Sequence, residues 1–333
     1  MQSARRRRAV GVSDKPVCME PRLRALIAAN GVFTRKDANA LGYHDAAIAA
    51  HVRSGAWIRI RRGAYVLGPE WSDLGAKQRY ATLCRAVVHQ AQTRVVLSHL
   101  SSANEHGAPL WDCDLAAVHL TRPDGRAGRA EAGVVQHRGA IEKDDVVRRR
   151  GLEVMSATRT ALELTMLLDA EHALVEIDHL LHHNLTTIPE LRKRYEAMTF
   201  WPRTLTTEHV LRLADSRSES VGETRARYLC WSERLPAPVP NYPVLDNRGV
   251  EIARVDLAWP ELGVFLEFDG KVKYEEHRRE GESVIDCVLR EKRRESLICE
   301  LTGWRCIRIV WADLYKPAET AARIRRLFCI SAA

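Results

Sequence analysis

Two acidic, strand-like runs near the C-terminal end constrain this chain more than any other feature. The first is Arg254-Val255-Asp256-Leu257-Ala258-Trp259-Pro260, and the second is Val264-Phe265-Leu266-Glu267-Phe268-Asp269-Gly270-Lys271. Side chains alternate across a strand, so Glu267, Asp269 and Lys271 share one face if the strand runs that far. Burying a carboxylate among Phe265, Leu266 and Phe268 is costly unless it is paired or holds a cation. Two or three carboxylates on neighbouring strands, with a lysine beside them, suit a divalent metal and a phosphodiester.

The 333 residues allow two or three domains, and a hydrophobic content of 46% supplies real cores. The formal charge of +8 and a sequence pI near 9.2 favour a polyanionic partner. Apolar runs fall short of the roughly 18 residues that a membrane-spanning helix needs, so no membrane partner is expected. The charged N-terminus is not followed by the apolar stretch of a secretory signal. The eight cysteines lack a paired CxxC spacing and read as reduced, mostly buried thiols of a cytoplasmic protein. His182-His183 lies in a leucine-rich helical stretch and reads as structural, and no zinc pattern is present.

Residues 1–20, with the basic run Arg5 to Arg8, read as a disordered tail, either solvated or a phosphate-binding arm. Residues 21–68 read as a compact unit. A helix over Arg22 to Asn30 is closed by Gly31. Thr34 caps a second helix that ends at Gly42, and Asp45 opens a third that ends at Gly55. Trp57 to Val66 then forms two short strands about a turn near Arg62-Gly63. Three short helices and a basic hairpin describe a winged helix-turn-helix. Its third helix would enter the major groove, with Arg53, Arg59, Arg61 and Arg62 available to phosphates. A winged helix used only for protein contact is the alternative.

Residues 69–210 read as an α+β connector. Gln78 to Gln92 and Ser156 to His183 have helical patterns; Val95 to Leu97, Leu115 to Leu120 and Val134 to His137 have strand patterns. His99, Ser101 and Ser102 come without a nucleophile elbow and read as a serine-rich helix start. Residues 216–329 follow a different pattern. A Ser-capped helix over Ser218 to Trp231 carries Glu223, strands fall at 251–258, 262–269 and 304–310, and a charged helix spans 284–301. The proline-rich Leu235 to Pro240 segment falls inside this domain rather than before it. Helix, strand, strand, helix, strand describes an α/β sandwich. The whole is an α+β multidomain chain: winged helix-turn-helix, connector and sandwich.

Several motifs in the last domain carry a resemblance. They are Ser220-x-x-Glu223, Arg254-Val255-Asp256, Glu267-Phe268-Asp269-Gly270, Glu291-Lys292-x-x-Glu295 and Gly303-Trp304-x-x-x-Arg308-Ile309-x-Trp311-x-Asp313-Leu314. With them, residues 216–329 resemble the very-short-patch-repair-like endonuclease domains of the PD-(D/E)XK superfamily, which have a restriction-endonuclease-like fold. Gly31-Val32-Phe33-Thr34-Arg35 and Arg61-Arg62-Gly63-Ala64-Tyr65-Val66 resemble the winged-helix domain of AbiEi-family antitoxins from type IV toxin–antitoxin systems.

The nuclease resemblance implies that Asp256 and Glu267 bind Mg²⁺ or Mn²⁺ as hard oxygen ligands. Asp269 is either a third ligand or stands where the superfamily often has its lysine. The motif reads equally as Asp256…Glu267-x-Asp269 or as Asp256…Asp269-Gly270-Lys271. Glu223 would orient a metal-bound water or a second ion, and Lys271 or Lys273 would polarise the scissile phosphate or help deprotonate water. Lys292, on the charged helix bordering this site, would contact DNA. The very-short-patch enzymes use histidines after the glycine, whereas here lysines and Tyr274 follow Gly270 and His277 is off that spacing. The expectation is a metal-dependent endonuclease placed on double-stranded DNA by its N-terminal domain. The alternative is a non-catalytic DNA-binding regulator or antitoxin with an inactive nuclease fold, working with a partner toxin or another protein.

Overall fold

The computed structural model describes residues 20–126, 132–198, 201, 204–246, 248–270 and 284–330. The basic run Arg5 to Arg8 and the expected site residues Lys271 and Lys273 lie outside the described residues. The chain divides into two compact units, Met1–Ala91 and Gln92–Ala333.

The first unit starts with α1 (Pro21–Asn30), closed by Gly31 at a left-handed φ of 68°. β1 (Phe33–Thr34) leads into α2 (Arg35–Ala40) through a reciprocal capping box between Thr34 and Asp37. Next come α3 (Asp45–Arg53), β2 (Trp57–Arg61), β3 (Ala64–Leu67), α4 (Gly68–Asp73) and α5 (Ala76–Gln90). The sheet is antiparallel in the order β1-β3-β2, with a register shift between Arg59 and Arg61. Its core joins Leu23, Ile27, Phe33, Ile48, Trp57 and Tyr65, and Phe33 meets Trp57 edge-on at 4.7 Å. The helices and the hairpin fall where the caps and glycines in the sequence place them. Helix α5 also belongs to this unit, since Gln90 Nε2 donates to the Arg62 carbonyl at 3.0 Å.

The second unit opens with β4 (Val96–Leu97), α6 (His99–Glu105), β5 (Val118–Thr121), β6 (Val134–His137), β7 (Val146–Arg149) and β8 (Leu152–Met155). These strands form a mixed sheet in the order β6-β5-β4-β8-β7. The β7–β8 hairpin was not expected from its arginine-rich sequence. Arg150 and Gly151 both take positive φ, 46° and 83°, the backbone that a two-residue hairpin turn requires. Helices α7 (Ala157–Leu167), α8 (Ala170–His182), α9 (Ile188–Glu196) and α10 (Leu205–Leu213) follow. The single helix expected over 156–183 is two, because Asp169 caps α8 by accepting the His172 N–H at 3.0 Å.

The rest of the unit contains α11 (Val221–Ser232), β9 (Val239–Leu245), β10 (Glu251–Trp259), β11 (Val264–Asp269), α12 (Val284–Thr302), β12 (Arg305–Val310), α13 (Trp311–Leu314) and α14 (Pro317–Ile330). The sheet order is β12-β11-β10-β9. β9 through β11 are antiparallel neighbours, and β12 lies parallel to β11 after the α12 crossover. The sequence expectation of two strands after the first helix is corrected to three. β9 begins at the end of the proline-rich segment, and Pro240 and Pro243 are tolerated because β9 is an edge strand. Leu257, Leu266, Phe268 and Ile309 pack toward Ala226 and Leu229 of α11 and Ile324 of α14. Val244, Val255 and Phe265 pack with Ile298 of α12 on the other side.

Two polar joints tie the two sheets' helices together. Asp178 of α8 accepts from Thr224 Oγ1 at 2.8 Å and Arg227 Nη2 at 2.7 Å, both on α11. Arg225 lies 4.1 Å over the Trp111 ring and donates to Glu171 at 2.7 Å. The architecture is mixed α+β, with three sheets among the described residues. Among the described residues, no helix is long and apolar enough to cross a membrane.

Candidate functional site

The basic residues of the first unit cluster around α3 and the β2–β3 hairpin. Arg53 closes α3, and Arg59 lies on the same face of β2 as Trp57. Together with Arg35, Asp45 and Tyr65 they border a shallow cleft between α3 and the sheet. Arg35 is paired with Asp45, its Nε donating at 2.9 Å. Arg53, Arg59 and Arg62 are exposed and make no ion pair among the described residues. Arg61 is half-buried at the hairpin end. Gly63, at φ 73°, turns the chain there, and its carbonyl accepts the Arg35 N–H at 2.9 Å. The result is a rim of guanidinium groups on a well-packed support.

The acidic residues of the second unit gather where β10 and β11 part. Their registered pairs run from Trp259↔Val264 to Leu257↔Leu266. Past that point the Asp256 side chain takes over, Oδ2 accepting the Phe268 N–H at 2.7 Å. A carboxylate thus stands in for a strand carbonyl. Glu267 is 7% exposed. Its Oε1 accepts from Arg294 Nη2 at 2.9 Å, and Arg294 Nη1 donates to the Arg254 carbonyl at 2.9 Å. Burial, and then the charge of Asp256, push the Glu267 carboxyl up to about 7 against the opposing Arg294 and Arg308. One arginine partner is not enough to hold this carboxyl in its ordinary range.

Asp269 is 3.8 Å from Arg308 Nη1, and Arg308 Nη2 donates to Glu295 at 2.6 Å. Glu223 is buried at the N-terminal cap of α11. Its oxygens accept from the Glu219 N–H at 2.9 Å and the Ser220 hydroxyl at 2.7 Å, and Asn241 Nδ2 lies 3.4 Å away. Gly222 lets this helix end approach the sheet closely: a Cβ there would lie 2.0 Å from the Phe268 ring. Lys292 is exposed on α12. The structure therefore brings Asp256 and Glu267 into electrostatic contact, with Asp269 held by Arg308 and Glu223 engaged in its own helix cap. Among the described residues, no group of three or more His, Cys, Asp or Glu side chains is arranged to hold a metal ion. Two mutually repelling, partly buried carboxylates still fit a hard dication, which would relieve the charge that raises Glu267.

Sequence reasoning gave Arg294 and Arg308 no role in the site. It also passed over a second cluster in the connector. There Arg159, 1% exposed, donates to Glu163 and Asp145, both at 2.9 Å. The signal was an Arg and a Glu four apart inside the apolar helix α7.

Residues 21–68 match the family model of the AbiEi antitoxin, described as a transcriptional regulator. Two relatives, the uncharacterized proteins MT2308 and Rv2248 of Mycobacterium tuberculosis strains CDC 1551 / Oshkosh and H37Rv, are each 29% identical over 211 residues. The aligned region covers 63% of this chain and 73% of each relative. The N-terminal segment that carries the exposed arginines is thus similar to AbiEi antitoxin regulators.

Proposed function

We propose that the chain is a DNA-binding transcriptional regulator of the AbiEi antitoxin kind. In this reading residues 21–68 act as a winged helix on double-stranded DNA, with α3 in the major groove and β2–β3 as the wing. The match over residues 21–68 carries the reading, and the exposed arginines Arg53, Arg59 and Arg62 support it. A partner toxin is the protein partner that this family description suggests, and the cytoplasm is where such a regulator would work. The test is fluorescence anisotropy on duplex DNA across a salt series. Phosphate contacts make affinity fall with salt, and Arg59→Ala and Arg62→Ala should each reduce the log–log slope by about 1. Slopes identical to wild type in both variants would exclude the wing.

A second reading is favoured by one observation, the raised Glu267 carboxyl beside Asp256. In it the second unit is a phosphodiester-hydrolysing nuclease with a restriction-endonuclease-like fold, and Asp256 and Glu267 would hold Mg²⁺ or Mn²⁺, with Asp269 adjacent. Such an ion supplies charge stabilisation at the phosphate and a more acidic water. Arg294 fixes the Glu267 side chain, and Arg308 keeps Asp269 in place. Supercoiled plasmid incubated with either ion or with EDTA tests this. Ion-dependent nicking lost in Asp256→Asn and Glu267→Gln would support the nuclease, and equal nicking by wild type and both variants would remove it.

A further inference from the structure

A cavity of about 540 Å³ lies in the connector part of the second unit, lined by residues that include His99, Thr121, His137, Arg138, Arg159 and Trp201. None of the acidic residues of β10 and β11 lines it. Its volume falls within the range of small-molecule sites.

The chemistry of the lining is specific. The His99 and His137 rings stack with centroids 3.5 Å apart at 17°. His137 Nε2 and His119 Nδ1 share a hydrogen bond at 2.8 Å, so one ring nitrogen donates while the other accepts, as between neutral imidazoles. Burial supports this by holding His137 down to about 3 and by lowering His119 as well. Parallel rings direct their nitrogens in parallel planes rather than toward one point, so this is not an ion-binding cage. Arg159 has its charge met by Glu163 and Asp145, and its guanidinium lies 4.1 Å over the Trp201 ring.

Two groups of the lining remain unspent. Thr121 is 1% exposed, and its Oγ1 is buried with no hydrogen-bond partner among the described residues. A buried hydroxyl without a partner is disfavoured unless something else supplies one. Arg138 is exposed and makes no ion pair among the described residues. With Arg159 already compensated, Arg138 leaves the cavity with a positive charge.

We propose that this cavity binds a small molecule that combines a planar heteroaromatic ring with one anionic group. The ring lies against the His99–His137 pair, the Thr121 hydroxyl bonds its edge, and Arg138 pairs with the anion. A nucleoside monophosphate and an aromatic carboxylate share this chemistry. The site is independent of the DNA-binding reading.

The test is calorimetric titration of the full chain with adenosine and uridine monophosphate in one arm, and with benzoate and indole-3-acetate in the other. Adenosine and indole are the uncharged controls. Saturable binding at one site per chain is expected in at least one arm, and the responding arm identifies the source of the anion. The matching uncharged control should bind about tenfold more weakly, and Arg138→Ala should lower affinity by about the same factor. Thr121→Val, which keeps the side-chain shape, should lower it about fivefold. Circular dichroism melts should match wild type for Arg138→Ala and be no lower for Thr121→Val, because neither side chain holds another part of the described fold and valine removes an unpaired buried hydroxyl. No saturable binding by any probe at millimolar concentration would overturn the proposal. So would binding that both variants leave undiminished.

Discussion

Replacing Arg159 with methionine removes the cation at the centre of the buried cluster of α7. Asp145 keeps a partner after the change, because Arg194 bonds both of its oxygens at 3.0 and 2.8 Å. Glu163 is left with the His99 N–H at 3.0 Å and a histidine ring that burial keeps neutral. Burial already pushes Glu163 upward from its ordinary 4.5, and the Arg159 guanidinium opposes that push. Without Arg159, the carboxyl must take a proton to remain inside. Proton uptake at pH 7 by a group that titrates near 4.5 when unfolded costs about 3.4 kcal/mol, and at pH 5 about 0.7 kcal/mol. The first figure is an upper one, since the native chain already carries part of the burial effect. In the variant the folded value of Glu163 lies above the unfolded one. Its contribution is therefore intact below about pH 4.5 and is lost as pH rises.

Urea denaturation followed by circular dichroism at both pH values should show a destabilisation that shrinks markedly at pH 5. The part that does not change with pH measures the stacking on Trp201 and the hydrogen bond to the Ala140 carbonyl, neither of which methionine can make. Arg159→Met/Glu163→Gln should recover most of the pH-dependent part, because the double variant has no carboxyl to protonate. A destabilisation of equal size at pH 5 and pH 7, or no relief in the double variant, would refute this account of the cluster.

At the acidic strands, removing a charge should stabilise instead. The folded value of Glu267, near 7, lies above its ordinary 4.5, so its contribution is present at low pH and lost as pH rises through 7. Glu267→Gln should therefore raise stability at pH 8, by up to about 3 kcal/mol, and a lower melting temperature would show that the Arg294 pair dominates instead. His99 runs the other way, with a folded value near 3 against an ordinary 6.5. Stability should be full above pH 6.5 and fall toward pH 3, by about 2 kcal/mol at pH 5 from this group. His99→Asn, which suits the positive φ of 48°, should flatten that limb in a pH series of denaturation midpoints. Gly222→Ala should cost about 1–3 kcal/mol, read as a lower melting temperature, because the Phe268 ring has to move; an unchanged melt would show that the ring shifts freely.

The parts of the fold legible in the sequence were those with local causes. Thr34 as a helix cap, Gly31, and the turn at Arg62-Gly63 each act within a few residues, and they marked the helices and hairpin of the first unit. Alternation put Glu267 and Asp269 on one face of β11. What alternation could not give is the partner of each carboxylate. Asp256 meets a backbone amide on the next strand, Glu267 meets Arg294 from the crossover helix, and Asp269 meets Arg308 from β12. His99, His119 and His137 likewise come together only because separate segments around one sheet bring them there. No spacing along the chain encodes such meetings.

Strand β9 contains two prolines among its seven residues, so two of its positions have no N–H to offer. It is also the outer strand of its sheet. A further strand, whether from a second copy or from an unfolded neighbour, needs an unbroken row of donors and acceptors to dock. Pro240 and Pro243 are three positions apart, so one of the two missing N–H groups faces this open edge, and that gap interrupts the row. A proline on the outer strand thus makes this edge a poor template for sheet growth from one copy to the next.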